Sequence, residues 1–139
     1  MSVALFRTEF VMAADSEVVY RYLTEADLLL EWIAAEAEVD RRVGGAIRWR
    51  HANGDEMIGR FVELVPNTRI AFRYGWADAQ FGLHPEASLV EIDLEEEAGR
   101  TTLRLCHSLL PSDSLDAHKY GWTHFLRLLS DRLSNDASS

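Results

Sequence analysis

The side chains in this sequence that could do chemistry are aromatics and imidazoles with polar tips, set on otherwise apolar positions. Trp49 and His51 follow Ile47 at a spacing of two, with Arg48 and Arg50 between them. Tyr74 and Trp76 extend the run of Ile70 and Phe72, and His107 extends that of Leu103 and Leu105. His118 and Trp122 lie four apart on an apolar stripe further along. Residues two apart share a face of a strand; residues three and four apart share a face of a helix. Parity therefore turns Trp49, His51, Tyr74, Trp76 and His107 inward, with His118 and Trp122 facing them from a helix. Trp32 approaches from an earlier helical hairpin. A purely structural interior favours Leu, Ile, Val and Phe, which bring no polar atom needing a partner. Trp, Tyr and His instead suit a greasy pocket with a few hydrogen-bonding points, the character of small-molecule sites. These residues are the candidate ligand-binding set. The competing reading takes each as a large core side chain with a satisfied polar tip.

The inward histidines His51, His107 and His118 raise two further kinds of chemistry. Zinc needs three or four nitrogen or sulfur ligands converging at ~2.0–2.3 Å. No short-spaced pair such as His-x-x-x-His supplies them, and Cys106, beside His107, projects to the opposite sheet face. No metal and no cofactor is expected. An imidazole that titrates near neutral pH could instead serve a bound substrate as general acid or base, and His107 or His118 would carry that role. No nucleophile, base and orienting group form a set, and Asp116 is explained by the dipole of the helix it begins. No catalytic residue is assigned.

Composition narrows the partners. The chain of 139 residues carries 23 acids against 14 bases, a net charge of −9, which repels phosphate backbones and anionic lipids. Nucleic acid and membrane surfaces are therefore not expected as partners. No apolar run approaches the ~20 residues of a membrane span, and the first ten residues lack the pattern of a signal peptide. The single cysteine excludes an internal disulfide and fits a reducing compartment. The expectation is a cytoplasmic protein, monomer or homodimer, whose partner is a small apolar or aromatic molecule. It forms one domain over residues 1–139, frayed from about residue 134.

The elements that must position the candidates can be read in order. Residues 3–12 alternate as a strand, and Ala13-Ala14-Asp15-Ser16-Glu17 opens a short helix whose apolar side is Val18, Val19, Tyr22 and Leu23. Thr24 can cap a second, with Leu28, Leu29 and Trp32 inward. From Glu36 the period changes to two. Strands are expected at 37–41, around 47–51, and at 57–64, 69–76, 88–94 and 101–107, with Gly44-Gly45, Asn53-Gly54-Asp55 and Pro66-Asn67 as turns. The ten residues 77–86, with Phe81 and His84, form a loop longer than a hairpin needs, the best candidate for a lid. Pro111, Ser112 and Asp113 supply a stop and a capping oxygen. A long helix follows with Leu115, His118, Trp122, Phe125, Leu126, Leu129 and Leu133 on one stripe and Lys119, His124, Arg127 and Asp131 opposite. Gly121 inside it costs ~1 kcal/mol relative to alanine; close helix–sheet contact is the expected reason, room for a ligand the alternative. The order is strand, two helices, six strands, long helix. The fold class is α+β, with a curved antiparallel sheet of about six to seven strands wrapped on the C-terminal helix.

Several strings carry a family resemblance: Ala13-Ala14-Asp15-Ser16-Glu17-Val18-Val19-Tyr20, Leu23-Thr24-Glu25 with Trp32, Gly44-Gly45, and Gly59-Arg60-Phe61-Val62-Glu63 leading to Pro66. Further strings are Ser88-Leu89-Val90, Thr101-Thr102-Leu103 with His107, and His118 ahead of Gly121-Trp122. In their order and spacing they resemble the START-like (SRPBCC, helix-grip) superfamily. The branch is the one similar to the C-terminal domain of the activator of the Hsp-90 ATPase, over about residues 5–133. The resemblance implies a long C-terminal helix closing a curved sheet around a cavity, and no catalytic motif. The eukaryotic co-chaperone carries a further N-terminal domain for which 139 residues leave no room.

Three functions compete. The first is a module binding a small, largely hydrophobic or aromatic ligand between helix and sheet. The second is a cyclase- or dehydratase-like enzyme using a pocket histidine, and the third a chaperone-interacting protein related to the Hsp-90 ATPase activator.

Overall fold

Alternation of apolar and polar residues builds strand β1 over Val3–Met12, and Asp15 then ends the extended run by accepting from the Val18 N–H at 3.0 Å. That capped start opens helix α1, Ser16–Thr24, whose buried side carries Val19, Tyr20, Tyr22 and Leu23. A single turn, α2 (Ala26–Leu29), follows. Thr24 does not cap it: α1 runs through Thr24, and the Thr24 hydroxyl donates back to the Tyr20 carbonyl at 2.8 Å. Six strands come next: β2 Glu36–Val39, β3 Ala46–Arg50, β4 Glu56–Val65, β5 Arg69–Trp76, β6 Ser88–Glu97 and β7 Arg100–Pro111. Helix α3, Leu115–Ser138, closes the chain. The computed structural model describes residues 2–138.

All seven strands pair antiparallel in one open sheet ordered β1-β7-β6-β5-β4-β3-β2. The first strand meets the last because the chain returns along its own beginning, with Val3 opposite Pro111 and Met12 opposite Thr101. This pairing extends β7 four residues beyond His107, the end expected from alternation alone. The alternation is hidden there because Leu109 takes φ 61° and the β1–β7 register shifts between Ala4 and Phe6. Pro111 then leads into a 3₁₀ turn, Ser112–Ser114. Ser112 pairs with the Ser2 hydroxyl rather than capping α3, and Ser114 donates to the Pro111 carbonyl.

The architecture is the α+β helix-grip arrangement, with α3 laid across the concave face of the sheet. His118, Trp122, Leu126, Leu129 and Leu133 are buried along its inner side, while Lys119, His124, Arg127 and Asp131 face out. The helix continues to Ser138, past residue 134 where fraying was expected. The outer sheet face is charged, and there Arg69 bridges Glu63, Glu91 and Asp93. Among the described residues no helix is long and apolar enough to cross a membrane.

Candidate functional site

Under the N-terminal half of α3 the packing leaves a hollow of about 410 Å³. Strand β5 contributes Tyr74 and Trp76 from its inner face. The residue just past β3 contributes His51, and α3 contributes His118, Gly121, Trp122 and Phe125. Ile33 closes one side, and the Asn53–Asp55 turn and Phe81 stand at the mouth. The walls are aromatic faces in tilted or edge-on contact: Tyr74 and Trp76 are 5.6 Å apart at 82°, and His51 and Phe125 are 5.1 Å apart at 36°.

Each inward histidine accepts a hydrogen bond from a tryptophan. Trp76 Nε1 donates to His118 Nε2 at 3.0 Å, and His118 Nδ1 lies 2.9 Å from the Ser114 carbonyl. A carbonyl only accepts, so the proton of His118 sits on Nδ1 and its Nε2 lone pair belongs to Trp76. Trp122 Nε1 donates to His107 Nδ1 at 3.0 Å, which puts the proton on Nε2; that proton goes to the Ser88 hydroxyl at 2.8 Å, and Ser88 donates on to the Tyr74 carbonyl. Trp49 Nε1 donates to His51 Nε2 at 3.1 Å, and the Ile33 backbone is a second polar neighbour of that imidazole. Burial pushes the pKa of all three below the usual histidine range, His107 furthest, with His118 adding to its shift. The imidazoles are neutral, and their lone pairs are already engaged by indole N–H groups. Neither His107 nor His118 presents a vacant nitrogen to the hollow for proton transfer. Among the described residues no three His, Cys, Asp or Glu side chains gather as a metal site.

The eight candidates separate. His51, Tyr74, Trp76, His118 and Trp122 share the hollow. Trp49 and His107 do not line it. Trp49 packs edge-on against Trp122 and Tyr74 behind the wall, and His107 is fully buried beneath Tyr74, with ring centroids 4.6 Å apart. Trp32 lies outside the hollow: its indole donates to the Tyr22 carbonyl, and it borders an adjoining depression with Glu31 and Arg132 that shares Ile33, His51, Ala52 and Phe125 with the hollow. Parity gives a side chain's direction but not its depth, and Trp49 and His107 lie behind the rings of Tyr74 and Trp122.

Phe125, on the apolar stripe of α3, also lines the hollow, as do Ile33, Ala117, Asn53 and Asp55; of these last four only Asn53 and Asp55 carry a signal in the sequence, that of the hairpin turn. Gly121 departs from the expected close helix–sheet contact. A Cβ there would meet nothing within 4 Å, so no close helix–sheet contact requires glycine; the position opens onto the hollow. The loop after β5 is stitched down. Leu83 is buried and accepts from the Trp76 N–H, Glu86 donates to the Ile58 carbonyl, and a Cβ on Gly75 would land on the His84 carbonyl. Phe81, 51% exposed at φ 59°, stands over the mouth with its ring 5.4 Å from that of His118. His84 faces solvent.

The family described as Activator of Hsp90 ATPase homolog 1-like protein matches residues 13–134. No curated protein matches the chain. Among solved structures, protein MLL2253 from Mesorhizobium loti superposes with a TM-score of 0.82 at 21% identity, over 95% of this chain and 98% of that one. The Aha1 dimer from Colwellia psychrerythraea gives 0.78 at 23% identity, over 94% and 96%. DynU16, from the dynemicin biosynthetic locus, gives 0.80 at 22% identity over 94% of this chain; the present chain spans 47% of DynU16. At these identities the likenesses concern the fold.

Proposed function

Since the chain belongs to the Activator of Hsp90 ATPase homolog 1-like family, we propose that it binds a small, largely hydrophobic or aromatic molecule in the space between α3 and the sheet. The observation that supports this most directly is the hollow itself. Its volume of about 410 Å³ falls in the range of about 300–1,000 Å³ typical of ligand pockets. Its wall is aromatic, and almost every polar atom in that wall is already paired, so an apolar guest displaces little bound water.

Titration with a panel of apolar ligands tests the reading, followed by the fluorescence of Trp76 and Trp122, whose rings form part of the wall. Saturable quenching or a spectral shift is expected. Gly121→Phe, which puts a ring into the open position, is expected to abolish the response while leaving cooperative unfolding intact. A wild-type protein that answers to none of the ligands ends the proposal.

The family's description favours a second reading, stimulation of a chaperone ATPase. It predicts faster ATP turnover by an Hsp90 on addition of the protein, unaffected by Gly121→Phe. Turnover that responds while no ligand binds would put this reading in place of the first.

A further inference from the structure

The polar groups around the hollow leave one hydroxyl unanswered. The indoles of Trp76 and Trp122 and the imidazoles of His51 and His118 are all engaged with one another or with backbone. Tyr74 is different. It is 5% exposed, it borders the hollow, and among the described residues nothing pairs with its phenol; its bond from Ser88 goes to its backbone carbonyl. Its phenol oxygen is not among the fully buried unpaired atoms of the described residues, so it opens on the hollow, and the acceptor nitrogens of His107 and His118 are already taken by indole N–H groups. Burial also pushes its ionisation well above the ordinary range, so it remains a neutral donor. What the phenol lacks is an acceptor.

Charge sets a second condition. Among the described residues that line the hollow, Asp55 at the mouth is the one acid, and no Lys or Arg is present. With a net charge of −9 over the chain, an anionic guest would meet no counter-charge and one repelling carboxylate. The walls, faces of Trp76, Phe125 and Tyr74, suit a flat ring system.

We propose that the ligand is an uncharged, flat ring system bearing a carbonyl-type oxygen on the end that enters first, and that Tyr74 donates to that oxygen; this rests on the pocket reading above. Fluorene and fluorenone, which differ at one position by a methylene against a carbonyl, are the probes, with a fluorenone carboxylate as the charged control. Fluorenone is expected to bind about five- to tenfold more tightly than fluorene, the worth of one buried neutral hydrogen bond. In Tyr74→Phe, which keeps the ring, that preference should vanish while fluorene binds as before. The carbonyl stretch of bound fluorenone should shift to lower frequency in the wild type and not in the variant, a signature that loss of packing alone would not produce.

Equal binding of the two probes to the wild type, or a preference for fluorenone that survives in Tyr74→Phe, overturns the assignment of Tyr74 and leaves the pocket standing. A carboxylate that binds as well as fluorenone overturns the uncharged class. Failure of fluorene and fluorenone alike to bind, while other apolar ligands do, overturns the flat-ring class; failure of every apolar ligand removes the pocket and this inference together.

Discussion

The indole N–H of Trp122, on helix α3, ends on the Nδ1 of His107, on strand β7, at 3.0 Å. That bond ties helix to sheet at a point where both side chains are buried, and it selects the tautomer that lets His107 hold Ser88. Trp76 and His118 repeat the arrangement between β5 and α3. The grip of helix on sheet is therefore partly polar, made by neutral rings whose donors and acceptors are matched. Such matching keeps large polar-tipped side chains inside without cost.

Breaking the pair from the helix side should show its worth. Trp122→Phe removes the donor and leaves the buried Nδ1 of His107 unmet. The expected loss is about 2–4 kcal/mol, combining an unsatisfied acceptor with lost packing. Urea unfolding measures it, and a change within about 0.5 kcal/mol would mean the bond contributes little.

Acid should weaken the fold in a defined window. His51, His107 and His118 are held neutral in the folded chain, while in the unfolded chain they titrate near the usual value of about 6.5. Above that pH both states are neutral and the stability is complete. As pH falls below it only the unfolded chain gains protons, so stability drops until the lowered folded-state values are passed. The unfolding free energy from urea titrations should decline between about pH 7 and about pH 5.5, by at least about 1 kcal/mol in all. Glu25 and Glu56, which are partly exposed and lowered by their arginine partners, lose their small contributions only further down, in the carboxylate range. A flat profile from neutral to pH 5.5 would contradict the neutral assignment.

Gly121→Ala should stabilise. The added methyl meets no atom within 4 Å, and the helix gains about 0.5–1 kcal/mol of propensity. A rise in Tm of about 2–4 °C is expected from calorimetry. A fall would show that the helix needs glycine there for a reason its surroundings do not reveal.

Gly75→Ala should do the reverse. Its methyl would strike the His84 carbonyl, so the loop bearing Phe81 must lift from β5 and expose Leu83. A loss of more than about 2 kcal/mol and new protease cleavage within residues 77–87 are expected. Unchanged resistance to cleavage would show that the loop can absorb the shift.

Arg69→Ala removes the cation shared by Glu63, Glu91 and Asp93 and leaves three like charges together on the outer sheet face. Because all four side chains are partly exposed, the loss should be modest, about 1 kcal/mol, and should shrink as salt screens the repulsion. A loss that does not change with salt would point to packing instead.

Order and orientation were legible in the chain, and contact was not. Period-two runs put Val90, Ile92, Leu94, Leu103, Leu105 and His107 on the buried face, and a stripe at spacings of three and four marked the inner side of α3, because both depend on backbone geometry a few residues long. Which of those inward groups touch was decided by the tertiary structure. Trp76 meets His118 across 42 positions and Trp122 meets His107 across 15, and neither spacing is periodic in anything. The depth of Trp49 and His107, the place of Trp32 outside the hollow and the open space beside Gly121 depend on how far the sheet curves under the helix. That curvature is set by seven strands pairing at once, a sum over the whole chain that no local stretch contains.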